Sequence, residues 1–89
     1  RLYAEDPAKG FLPSTGRLEH FDLGEEGRIE TGVTQGSEIS PFYDPMIAKL
    51  IVSARTREDA IDQLIAIAES VEVYPVKSNA AFIARLLDL

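Results

Sequence analysis

The sequence predicts an α+β fold, a small and mostly antiparallel sheet with two helices packed on it. Three observations carry this. Short stretches of alternating polarity, residues 27–33 the clearest among them, are separated by turns bearing glycine or proline. A nearly unbroken apolar run over residues 46–54 reads as a central strand covered on at least one side. Two later segments, opening at Thr56 and Ser78, repeat apolar residues at helical spacing. Several strands, then strand, helix, strand, helix is an order that lays helices on one face of an antiparallel layer.

Each element has its own justification. Leu2-Tyr3-Ala4 reads as a strand stopped at Asp6-Pro7, because proline lacks a donor and pushes the preceding residue out of the helical region. Residues 8–15, with Gly10 and Pro13, form a loop or one helical turn. Residues 17–23 are a candidate strand whose apolar members Leu18, Phe21 and Leu23 break strict alternation, which predicts a bulge or twist. Gly24-Glu25-Glu26-Gly27 turns the chain. The next strand then sets Ile29, Thr31 and Val33 on one side and Arg28, Glu30 and Gly32 on the other, so that Arg28 faces away from the core. Gln35-Gly36-Ser37 is a second turn, and Glu38-Ile39-Ser40 a short strand ended by Pro41. These elements are expected to form a meander.

In the central strand Met46, Ala48, Leu50, Val52 and Ala54 share one face, and Ile47, Lys49, Ile51 and Ser53 the other. Thr56 is an N-cap with Asp59 three residues on, close to a capping box, and Ala60, Ile61, Leu64, Ile67, Ala68 and Val71 form the stripe of the first helix. Residues 71–74 alternate as a strand before Pro75. Ser78 then caps a last helix whose apolar face includes Phe82, Ile83, Leu86 and Leu89.

With 89 residues, 45% of them apolar, the chain is expected to be a single domain, 1–89, with a modest core. A domain of this size buries roughly 60–65% of its unfolded-chain surface, so docking on a larger body would add usefully to its stability. Both ends fall within patterned elements and read as cut from something longer. Nine basic against fifteen acidic residues, a net charge of -6 spread along the chain, argue against nucleic acid as a partner. There is no cysteine, hence neither a disulfide framework nor a thiolate metal site, which is compatible with a reducing cytoplasm. No apolar run reaches the length of about 18–20 residues that a membrane span needs, so no membrane partner is expected.

The sequence contains no glycine-rich phosphate loop, no H-E-x-x-H and no G-x-S-x-G. Its one histidine, His20, lies at no metal-ligand spacing and reads as a surface or edge-strand residue. Arg28 stands out, because a guanidinium on a strand face presents a rigid fork of donors to a carboxylate, a bicarbonate or a developing oxyanion. Its bland counterpart is a surface pair with Glu30, worth at most ~1 kcal/mol. Lys49 interrupts the apolar run and is read as a stem lying along the sheet with its ammonium at the rim. Asp44-Pro45 sets the turn that launches the central strand.

Four segments, Arg1-Leu2-Tyr3-Ala4-Glu5-Asp6-Pro7, Phe11-Leu12-Pro13-Ser14-Thr15-Gly16, Gly27-Arg28-Ile29-Glu30-Thr31-Gly32-Val33 and the run from Ser40-Pro41-Phe42-Tyr43-Asp44-Pro45-Met46 into the central strand, make the chain resemble, in order and spacing, the C-terminal domain of biotin carboxylase. The resemblance implies a C-terminal subdomain of an ATP-grasp enzyme that uses ATP and Mg²⁺ to activate bicarbonate as carboxyphosphate and moves the carboxyl group to biotin. It also implies that Arg28, catalytic and substrate-binding at once, hydrogen-bonds the biotin ureido oxygen beside bicarbonate and stabilises the oxyanion formed when biotin N1 is deprotonated. Tyr43, Asp44 and Met46 belong to the same signature. Glu5 and Asp6 match it as well and are read as turn and network residues.

In such enzymes the residues for ATP, metal and bicarbonate lie upstream, so biotin, ATP and Mg²⁺ are expected of the parent enzyme, and the isolated chain is expected to bind none of them and to be inactive. The implied partners are the ATP-grasp body of the same polypeptide, a biotin carboxyl carrier domain and a carboxyltransferase subunit. Lys49 is not read as a biotinylated lysine, since that site lies between methionines and Ala48-Lys49-Leu50 lacks them. The first motifs look most like α subunits of acetyl-, propionyl- or methylcrotonyl-CoA carboxylases, and a bacterial cytoplasm is the expected location. Two departures accompany the likeness: Tyr74-Pro75 stands where a glycine usually precedes the last helix, and Ser53 stands where an aromatic is common at a dimer contact. The competing reading is a non-catalytic, acidic protein-interaction module, in which Arg28 is freely replaceable.

Overall fold

A computed structural model describes residues 1–42 and 44–89; Tyr43 lies outside the described residues. The chain runs through β1 (Leu2–Tyr3), β2 (Glu5–Asp6), a 3₁₀ turn (Pro7–Lys9), β3 (Leu12–Pro13), β4 (Gly16–Arg17), β5 (His20–Asp22), β6 (Arg28–Thr31), β7 (Glu38–Ile39), β8 (Met46–Ile51), α1 (Arg57–Ser70), β9 (Glu72–Tyr74) and α2 (Ala80–Leu87). β8 is the middle of a three-stranded sheet, flanked by β1 and β6, while β2–β3, β4–β7 and β5–β9 form two-stranded ladders, all antiparallel. The α+β class and the central place of β8 agree with the sequence reading.

The expected meander does not form, since β5 pairs β9 and β7 pairs β4. The cause is local. Glu19 N donates to Arg17 O at 2.9 Å, a tight reversal that breaks residues 16–22 into two strands aimed at different partners. Leu18, at the break, is fully buried, and its backbone is satisfied outside any ladder: its N donates to Ser37 O and its O accepts from Gly36 N. Leu2, Leu18, Ile47 and Val76 are the largest fully buried side chains, and Ala4, Leu23, Ile39, Ala48 and Ala80 complete the core around them.

The loop expected at residues 8–15 holds the 3₁₀ turn, started by Asp6 Oδ1 accepting from Ala8 N, and then β3. α1 begins as expected, with Thr56 Oγ1 accepting from Asp59 N at 3.0 Å, and it buries Ile67 and Ala68 of the predicted stripe. α2 departs from its prediction in two ways. Its flanking residue is Asn79, and Ser78 Oγ accepts only from Ala80 N, at 3.4 Å. Its buried residues are Ala80 and Ala84, whereas Leu86 is 54% and Leu89 100% exposed, because a helix lying close against its neighbours is seated by its small side chains. Phe82, beside that seat, packs edge-on against Phe11 with ring centroids 4.9 Å apart.

Asn79 is the buried polar residue among those described, and it ties α2 to β1. Its Oδ1 accepts from Tyr3 N at 2.8 Å, its backbone N donates to Tyr3 O at 3.1 Å and its Nδ2 donates to Arg1 O at 3.3 Å. In effect Asn79 covers the free edge of β1. Among the described residues no helix is long and apolar enough to cross a membrane.

Candidate functional site

The pairing of β6 with β8 sets Arg28 opposite Ile51 and Glu30 opposite Lys49, with Ile29 opposite Leu50 on the other face. Alternation splits this part of the sheet as the sequence suggested, except that Ile47, on the Lys49 side, is buried and Thr31, on the Ile29 side, is exposed. Ile29 and Leu50 pack on the core, while Arg28, Glu30, Lys49 and Ile51 stand on an exposed face. Arg28 Nη2 donates to Glu30 Oε1, the surface pair anticipated as the bland reading. Thr31 Oγ1 donates to Ile47 O at 2.6 Å, fastening β6 to β8 beside this pair. A shallow depression of about 280 Å³ opens there between Glu30, Gly32, Met46 and Lys49.

Gly27 fixes where Arg28 begins. Its φ is +73°, and a Cβ on it would lie 2.9 Å from Ile51 O and 3.1 Å from Ile67 Cδ1, so the strand start is clamped between β8 and α1. Asp44 Oδ1 accepts from Met46 N at 2.9 Å, the turn that launches β8, as its spacing before Pro45 implied. Tyr43, of the same motif, is outside the described residues. Lys49 is exposed at the rim, Glu5 lies in the β2–β3 ladder and Asp6 serves the 3₁₀ turn. His20 Nε2 sits 2.8 Å from Glu72 Oε1 across the β5–β9 ladder, on strands that belong to a different sheet from β6 and β8. Among the described residues no three His, Cys, Asp or Glu side chains gather as a metal site would require.

What the arrangement offers is one guanidinium held on an open sheet face, with N–H groups beyond the one given to Glu30 available to a planar oxygen acceptor. The family model for the biotin carboxylase C-terminal domain matches residues 1–89, and the chain belongs to that family.

It is 43% identical over 89 residues to the α subunit of mitochondrial methylcrotonoyl-CoA carboxylase from Dictyostelium discoideum, a match over 97% of this chain and 13% of that one. It is 42% identical over 90 residues to the biotin carboxylase of Halalkalibacterium halodurans, over 99% of this chain and 20% of that one. Among solved structures, the biotin carboxylase domain of Hydrogenobacter thermophilus 2-oxoglutarate carboxylase, in complex with MgADP, ADP and bicarbonate, matches with a TM-score of 0.93 and 40% identity, covering 100% of this chain and 20% of that one. The chain thus spans a fifth or less of these relatives' lengths. Family membership displaces the reading as an independent interaction module.

Proposed function

We propose that this domain forms one wall of the active site in the biotin carboxylase component of an acyl-CoA carboxylase, with an ATP-grasp body of the same polypeptide docked against the Arg28 face. The observation that carries the proposal is the placement of Arg28 on an open strand face, its fork already oriented by Glu30, in a chain of this family. ATP with Mg²⁺ supplies the activation of bicarbonate in the parent enzyme, at residues outside this chain. Arg28 donates hydrogen bonds to the ureido oxygen of biotin and offsets the negative charge that grows there as N1 loses its proton. Once the opposing body excludes water, a fixed donor of this kind is worth several kcal/mol, against ~1 kcal/mol for the same guanidinium in an exposed pair. A biotin carboxyl carrier domain delivers the biotin and a carboxyltransferase subunit receives the carboxyl group. A bacterial cytoplasmic location belongs to the same proposal; the bacterial relative at 42% identity supports it, the mitochondrial one at 43% weighs against it, and cell fractionation decides.

The test is bicarbonate- and biotin-dependent ATP cleavage by the full-length parent, wild type against Arg28→Ala, with both checked for folding. A loss of about 10²-fold or more is expected. An unchanged rate in a folded protein returns Arg28 to the surface pair.

A further inference from the structure

On the open sheet face three charges stand in one patch, Arg28 and Glu30 on β6 and Lys49 across from Glu30 on β8. Backbone geometry brings Lys49 nearer to Glu30, since directly opposed residues have Cβ atoms about 4.5–5.5 Å apart, while residues two apart along a strand are separated by roughly 6.6 Å. The carboxylate nevertheless takes its hydrogen bond from Arg28 Nη2, and among the described residues Lys49 joins no ion pair. Donor shape accounts for this choice. A planar fork fixes an acceptor in one direction, whereas an ammonium is a strongly hydrated point charge on a flexible stem. Glu30 is also the more sheltered partner, with its side chain 43% exposed against 71% for Arg28. Among the described residues Arg28 makes no other side-chain hydrogen bond, so Glu30 is what sets the direction of its guanidinium.

We infer that Glu30 is a positioning residue for the carboxylation chemistry, holding the Arg28 fork in place before substrate arrives; the inference rests on the role proposed above for Arg28. An oriented donor needs no reorganisation when charge develops, and a misplacement of about 1 Å at such a group can cost as much as 10²-fold in rate. Glu30 touches no substrate in this scheme and acts only through Arg28. Its effect therefore vanishes when Arg28 is absent.

A double-mutant cycle in the full-length parent reads this directly, with kcat and KM measured for free biotin and bicarbonate in wild type, Glu30→Ala, Arg28→Ala and the double variant. Glu30→Ala is expected to lower kcat about tenfold with Arg28 present, to leave KM for bicarbonate in place, and to lower nothing further in the Arg28→Ala background. Glu30→Gln, which keeps an acceptor oxygen at the same reach, is expected to recover most of the rate. An unchanged kcat in Glu30→Ala, or an equal loss in both backgrounds, overturns the inference. Arg28→Ala alone decides the parent reading, so the two failures are distinct. Glu30→Asp keeps the charge but shortens its reach by one methylene, and it serves where alanine is not tolerated: a full rate in Glu30→Asp overturns the inference equally.

Discussion

At Gly27 the backbone admits no side chain larger than hydrogen. Its φ of +73° and the Ile51 carbonyl 2.9 Å from a Cβ placed there combine two penalties, one conformational and one steric, and a backbone oxygen cannot swing aside. Gly10 has nearly the same φ, +68°, with nothing within 4 Å, and so isolates the first penalty. Gly10→Ala should cost about 1 kcal/mol and Gly27→Ala roughly 2–4 kcal/mol, read as the difference between their urea midpoints at constant m. Asn79 is the other residue on which much depends. Asn79→Ala strands Tyr3 N, which is part-buried, and should cost about 1–3 kcal/mol in the same measurement, with loss of hydrogen-exchange protection at the Tyr3 amide. Neither effect was legible in the sequence. The partners of Asn79 lie 76 and 78 residues away, and the clamp on Gly27 comes from Ile51 and Ile67.

At the scale of elements, local signals were legible and partner choice was not. The Thr56 cap, the α1 stripe and the Asp44 turn are each written in spacings of four residues or fewer, and the structure keeps all three. The partner of β5 is a different matter. It is decided by the reversal between Arg17 and Glu19 and by the burial of Leu18, so a strand that looked adjacent to β6 pairs β9 instead. In α2, attention to large apolar residues concealed that Ala80 and Ala84 are the seat. The two helix starts make a paired prediction. Thr56→Ala should cost about 1 kcal/mol, while Ser78→Ala, losing only a 3.4 Å contact, should cost under about 0.5 kcal/mol in denaturant unfolding.

For the molecule as a whole, the α+β layer and the outward face of Arg28 could be read from alternation and periodicity. The chemistry of that face could not, because a fork beside Glu30 has the same geometry whether it serves water or a substrate. The family resemblance, carried by four motifs in order, is borne out by the match over residues 1–89, while the chemistry of Arg28 belongs to the proposal. The bond between Asn79 and β1 also bears on how the domain is made. Leu2, with 0% exposure, lies in β1, yet the residue that closes the free edge of that strand is translated 76 positions after Tyr3. At about 5–20 residues per second the ribosome takes roughly 4–15 s to cover that interval, during which β8 emerges to pair one edge of β1 while the other edge of β1 waits for Asn79.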